Sequence, residues 1–343
     1  MLLGCEGPVL TEEERSFFAR LNPFGFILFQ RNCVNPDQVK ALTCALRACV
    51  QQPALPIFID QEGGRVARLK PPYWPSLPAI RTIGKLYERN PVQGREAMRL
   101  HSLVTAKMLR AVGINGNCAP VLDLCLDGAS SAIGDRALSA SPQTVADLGR
   151  VAIEAYLAEG VYPVIKHMPG HGRVQVDPHV DLPFVDTDEE TLQKNDFVPF
   201  KKLHDAPMAM NCHVVFRALD PLAPVSLSPS VHERIIRGVL GFQGLLMTDD
   251  LAMGALKMPL EQRVRGALEA GADIALYCTG SMEGMRTVEE SLPAETCEAT
   301  LMRWARAQDH LSRAGAMRSV EDEAALRARL AALLDVGAVT QEA

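Results

Sequence analysis

The chain has 343 residues, 48% of them hydrophobic, and a formal net charge of −6, enough apolar material for one large core or two ordinary ones. Its 35 Lys and Arg are scattered among 41 Asp and Glu, which excludes the basic footprint of a protein that binds nucleic acid or an anionic membrane. Nine cysteines, an odd count at irregular spacings with no CxxC pair, exclude a disulfide framework or a structural zinc ribbon and point to a reducing compartment.

Met1-Leu2-Leu3-Gly4-Cys5 resembles a lipoprotein cleavage box but has no basic region and no apolar stretch of signal length before it. No run of about eighteen apolar residues follows. A cytoplasmic protein is expected. Thr11 with Glu14 three residues on forms a capping box, Phe17, Phe18 and Leu21 give that helix an apolar face, and Asn22-Pro23 ends it. Residues 24–29 read as a buried strand. Asn35-Pro36 opens the next helix, in which Val39, Leu42, Leu46 and Cys49 recur at helical spacing. Residues 56–59 are the following strand, ending in Asp60-Gln61-Glu62-Gly63-Gly64-Arg65.

The same unit then recurs: a helical pattern, a glycine stop, a short apolar run ending in a polar residue. Gly113 precedes residues 114–120, Gly160 precedes 161–165, Gly244 precedes 245–248, and Gly271 precedes 272–278. Residues 207–215 add another strand, and Leu2-Leu3 makes eight. Fully apolar strands alternating with helices imply a parallel sheet, and a count of eight favours a closed (β/α)8 TIM-type barrel over an open sheet. With no Ser/Gly-rich linker, a single domain is expected, the barrel over about residues 1–280 and C-terminal helices over about 281–343. Their charged faces (Glu289, Glu290, Arg303, Arg306, Glu321, Glu323, Arg327, Arg329) place those helices on the outside of the barrel.

Chemistry-bearing residues concentrate after the strand of residues 161–165. Lys166, His167, His171, Asp177 and His179 fall within fourteen residues, at and beyond a strand end, where barrel enzymes carry their sites. Pro169, Gly170 and Gly172 forbid a helix there and are expected to scatter His167 and His171, which weakens an HxxxH metal clamp. Asp60, Asp123, His213, Asp249 and Asp250 also follow strands, so a barrel would bring them to one face. Each has a bland reading: Asp249-Asp250 as a helix start, Asp177-Pro178-His179 as an Asx-type turn, His171 as structural. The functional alternative pairs Asp177 with His179, the carboxylate fixing the tautomer of an acid/base imidazole, and leaves Asp249 as a nucleophile or a charge facing a cationic transition state.

KHMPGHG (Lys166 to Gly172), the later DPH, DQEGGRVARL (Asp60 to Leu69) and TDDLAM (Thr248 to Met253) resemble signature segments of the family-3 glycoside hydrolases, in particular the bacterial cytoplasmic β-N-acetylhexosaminidases. The resemblance runs from Gly7-Pro8-Val9-Leu10 to about Cys278 in the expected order. It implies that Asp249 is the nucleophile of a covalent glycosyl-enzyme and that His179, oriented by Asp177, is the general acid/base. It also implies that Asp60, Arg68, Arg136, Lys166 and His167 bind the sugar hydroxyls and N-acetyl group, with no cofactor and no metal. The implied substrate is a small saccharide or muropeptide, such as GlcNAc-1,6-anhydro-MurNAc peptides from peptidoglycan recycling. A monomer with no nucleic-acid or membrane partner is expected. Met168 stands where an aromatic residue is common, Pro178 where serine is common, and Cys278-Thr279-Gly280 where asparagine or histidine usually follows the cysteine; none removes a reacting group. Three alternatives remain: another family-3 β-glycosidase or a glycoside phosphorylase, a metal-dependent barrel hydrolase using His167, His171 and Asp249, and a non-catalytic sugar-binding protein.

Overall fold

The computed structural model describes residues 1–50, 55–126, 128, 130–176, 181–315 and 318–339. Ten short strands occur among them: β1 Leu2–Leu3, β2 Gly25–Leu28, β3 Ile57–Ile59, β4 Gly116–Asn117, β5 Tyr162–Met168, β6 Phe184–Val185, β7 Met208–Asn211, β8 Val215–Phe216, β9 Leu245–Asp250 and β10 Ile274–Tyr277. Eight of these form one parallel sheet in the order β3-β2-β1-β10-β9-β7-β5-β4. The remaining seam between β4 and β3 is closed by the Asn115 amide donating to Ile57 O at 3.1 Å and the Cys118 amide donating to Ile59 O at 2.9 Å. There the Asn115 side chain also accepts from the Ile57 amide at 2.7 Å, standing in for a ladder bond. The molecule is the (β/α)8 TIM-type barrel that its glycine-punctuated repeats specify.

Local signals act as the sequence reading has them. Glu14 N donates to Thr11 Oγ1 at 3.1 Å and Thr11 N to a Glu14 carboxylate oxygen at 2.9 Å, starting the helix Glu12–Leu21, which Asn22 ends in a left-handed conformation at φ 50°. Asn35 Oδ1 accepts from Gln38 N at 3.0 Å and opens the helix Pro36–Val50. The strand expected over residues 207–215 divides instead. Its first part is β7 of the barrel, and its last residues form β8, which pairs with β6 outside the barrel. The chain turns between them at His213, whose ring is drawn to Ser226 Oγ at 2.7 Å and to the Asp250 carbonyl at 3.1 Å.

Two apolar layers hold the fold. One lies between strands and surrounding helices; the other fills the barrel itself, with Leu2, Ile27, Phe58, Val164, Met208, Met247 and Leu276. Gly116 is required by this filling, since a Cβ there would stand 2.3 Å from the Phe58 ring. The C-terminal helices only partly lie on the outside as expected. The helix Glu323–Val339 packs against Pro91–Ala111 through buried Leu326 and Leu330 and an ion pair of Arg329 with Glu96 at 2.7 Å. The helix Glu298–Ala314, by contrast, lies across the amino-terminal end of the barrel. Trp304 packs edge-on to Phe24 at 4.8 Å between ring centroids, and Ala307 joins the interior cluster. The face bearing Trp304, Ala307 and Leu311, spaced by three and four residues, is what the charged positions on that helix conceal. No helix among the described residues is long and apolar enough to cross a membrane.

Candidate active site

The carboxyl ends of the strands surround a cavity of about 400 Å³ lined by Asp60, Glu62, Arg65, Arg68, Arg136, Lys166, His167, His171, Asp249 and Asp250, with Ile27, Met210 and Leu276 among its apolar residues. Asp60 directly follows β3, Lys166 and His167 lie in the last three residues of β5, and Asp249 is next to last in β9. Arg68 and Arg136 arrive on the segments after β3 and β4. Six of the eight residues expected in the site thus share one cavity. The other two, Asp177 and His179, lie outside the described residues.

One wall is a chain of ion pairs. Lys166 Nζ donates to Asp60 Oδ1 at 2.9 Å and stands 2.7 Å from Glu62 Oε1. Arg68 donates to the other Asp60 oxygen at 3.0 Å. Arg136 grips Glu62 with two nitrogens, Nε at 2.8 Å and Nη2 at 2.9 Å, the bidentate geometry that suits a guanidinium to a carboxylate. Burial pushes the Asp60 and Glu62 carboxyls up, but Lys166 with Arg68 at the first and with Arg136 at the second outweigh it and hold both below the usual carboxylate range. Burial likewise favours neutral Lys166, yet Asp60 and Glu62 keep its ammonium above its ordinary value. All these groups are therefore charged at neutral pH, and their positions are fixed before any sugar arrives.

Asp249 differs. Its carboxylate accepts from the Asp250 amide at 2.9 Å, and among the described residues it has no ion-pair partner. Burial pushes its carboxyl up, while His167 and His213, the Asp250 amide and the Lys166 ammonium bring it below its ordinary value. An ionised carboxylate with little holding it is suited to attack or to face a developing cation. Asp250, by contrast, braces the backbone, its Oδ1 accepting from the Ala252 amide at 3.0 Å and the Cys278 amide at 3.1 Å; it does not start a helix, the next one being Leu260–Ala270.

Two residues gain roles that pattern alone does not assign. Asp123, fully buried, accepts from the backbone amides of His167 at 3.2 Å and His171 at 2.7 Å and bonds the His167 ring Nδ1 at 2.6 Å. Burial pushes its carboxyl up, but His167 and His171 take it down to about 2. Glu62, to which the sequence assigns no role, is the hub of the ion-pair wall. His167 and His171 are not scattered, as their intervening Pro and Gly suggested: their ring centroids are 5.5 Å apart because one Asp123 oxygen gathers both amides. Among the described residues no group of three or more His, Cys, Asp or Glu is arranged to hold a metal ion. Replacing Asp123 with alanine strands these donors in a buried site; unfolding in urea is expected to show a loss of about 3–5 kcal/mol.

A parallel barrel with a preformed, charged cavity at the carboxyl ends of its strands is the architecture of a barrel enzyme acting on a polar small molecule. Residues 9–310 match the family model of the glycosyl hydrolase family 3 N terminal domain. A beta-hexosaminidase of Alkalilimnicola ehrlichii is 39% identical over 282 residues, covering 81% of this chain and 80% of that protein. A beta-hexosaminidase of Thioalkalivibrio sulfidiphilus is 36% identical over 310 residues, covering 89% and 88%. Among solved structures, NagZ from Neisseria gonorrhoeae in complex with N-trifluoroacetyl-D-glucosamine superposes with a TM-score of 0.84 at 29% identity, covering 97% of both chains. The chain belongs to glycosyl hydrolase family 3.

Proposed function

We propose that the cavity binds the non-reducing terminal GlcNAc of a β-linked saccharide and cleaves its glycosidic bond with retention of configuration. The chain is a glycoside hydrolase of the β-N-acetylhexosaminidase type, in keeping with its beta-hexosaminidase relatives and the N-acylated glucosamine named in the gonococcal complex. The observation that carries the mechanism is the contrast between Asp249, ionised and lightly held, and the ion-paired charges that share its cavity. In this mechanism Asp249 attacks the anomeric carbon as the glycosidic bond breaks, and His179, oriented by Asp177, protonates the leaving oxygen. His179 then takes a proton from water as the water displaces Asp249. Asp60, Arg68, Arg136, Lys166 and His167 hold the hydroxyls and the N-acetyl group. The proposed substrate is a peptidoglycan fragment such as a GlcNAc-1,6-anhydro-MurNAc peptide, processed by a cytoplasmic monomer during cell-wall recycling.

The role of His179 is tested by varying the leaving group. A placed proton donor contributes typically about 10²–10⁴-fold, and only where the departing oxygen needs a proton. His179→Ala is therefore expected to lose that factor on an alkyl or sugar aglycone while the first step with a dinitrophenyl β-GlcNAc glycoside stays near wild type. Equal losses on both substrates would remove His179 from the acid role.

A further inference from the structure

On the far side of Glu62 from the sugar pocket lies an internal cavity with about 10 Å³ of room for a water's centre, lined by Glu62, Ile80, Met98, His101, Val121 and Tyr156 among others. That is about the smallest space that holds a water, which needs two to four polar partners. Its walls supply them. His101, on the helix Pro91–Ala111, is 1% exposed, and apart from the Pro78 carbonyl its ring nitrogens meet no hydrogen-bond partner among the described residues. Nε2 abuts the Gly63 turn beside the Pro78 carbonyl: a Cβ on Gly63 would meet Pro78 O at 2.4 Å and His101 Nε2 at 2.7 Å. That carbonyl favours the imino proton on Nε2 and leaves Nδ1 as an acceptor. Burial pushes the His101 pKa down to about 4, so the ring is neutral near pH 7.

Glu62 offers a second acceptor. Its Oε1 takes hydrogen bonds from Lys166 and Arg136 Nη2, while Oε2 takes only that of Arg136 Nε at 2.8 Å, so one lone pair on Oε2 stays open. Two acceptors around one cavity cannot satisfy each other, whereas a water has two protons to give. We propose that this cavity binds one ordered water that donates to His101 and to Glu62, making His101 a positioning residue for the Glu62 carboxylate and, through it, for Lys166 and Arg136. The kinetic consequence rests on the function proposed above; the water does not.

Both parts are testable on the full chain. A high-resolution crystal structure is expected to show a water within about 3.2 Å of His101 Nδ1 and of Glu62 Oε2; a dry cavity, or a water at neither atom, overturns the proposal. His101→Leu is expected to raise KM for a β-GlcNAc glycoside about tenfold with kcat within about twofold, as loss of binding shared by ground and transition states requires. His101→Gln, which keeps an acceptor in the cavity, should return KM to within about threefold of wild type. An unchanged KM in a folded His101→Leu protein overturns the positioning role. If His101→Leu fails to fold, the wild-type solvent density decides. Absence of β-GlcNAc cleavage by the wild-type chain would refute the proposed function and leave the water's density to stand or fall by itself.

Discussion

Asp249→Ala is expected to lower turnover of a chromogenic β-GlcNAc glycoside by on the order of 10⁴-fold or more, the scale of loss when a reacting nucleophile is deleted. Asp249 is an intermediate-exposure residue of β9 and, among the described residues, its carboxylate serves one backbone amide, so the folded protein should survive the change. Loss of activity with an unaltered urea midpoint separates chemistry from structure. Azide can occupy the vacated space, attack the anomeric carbon from the Asp249 side and expel the aglycone, giving an α-glycosyl azide from a β-glycoside. Formation of that product identifies Asp249 as the group that attacks. Near-wild-type turnover by the alanine variant would end the assignment.

The largest loss of stability is expected at Glu62. Removing one partner from a buried ion pair typically costs about 3–5 kcal/mol, because the remaining charge has lost its compensation. Glu62→Ala leaves Arg136 without its bidentate partner and Lys166 with Asp60 alone. Unfolding in urea should show a loss at or above the top of that range, accompanied by a weakened affinity for GlcNAc. The pH dependence has a definite sign. Asp60 and Glu62 have folded values below their unfolded ones, so their contribution is complete above about pH 5 and is lost as pH falls through the folded values. The stability of the wild type should therefore rise with pH across the acid range, and Glu62→Gln should flatten that slope by up to one proton. A parallel slope in the variant would mean that Glu62 has no depressed pKa.

Which of these features the sequence displays follows from how local their causes are. The strands show because each glycine stop, apolar run and polar end is a short-range signal, and in a barrel every such polar end opens onto the same face. Asp60, Lys166, His167 and Asp249 were legible for that reason. Glu62 was not, since an acid between Gln61 and Gly63 reads as a turn, and its partners lie 74 and 104 residues away at Arg136 and Lys166. Asp123 was legible as a strand-end acid, but its grip on two histidine amides depends on the parallel pairing of β4 with β5. Arg68 and Arg136 carry no periodic or spacing signal, and only family likeness singled them out. The Trp304 face of the helix Glu298–Ala314 was masked by the charges around it.

The packed interior of the barrel, with a helix across its amino-terminal end, makes the pocket a cul-de-sac. A polymer cannot thread through the barrel, so the reaction proposed above takes a chain terminus and removes one residue at a time. In the proposed two-step reaction the aglycone departs first, and the monosaccharide then leaves at the carboxyl end of the barrel, where the next substrate comes in. On that reading free GlcNAc and incoming saccharide compete for the same mouth.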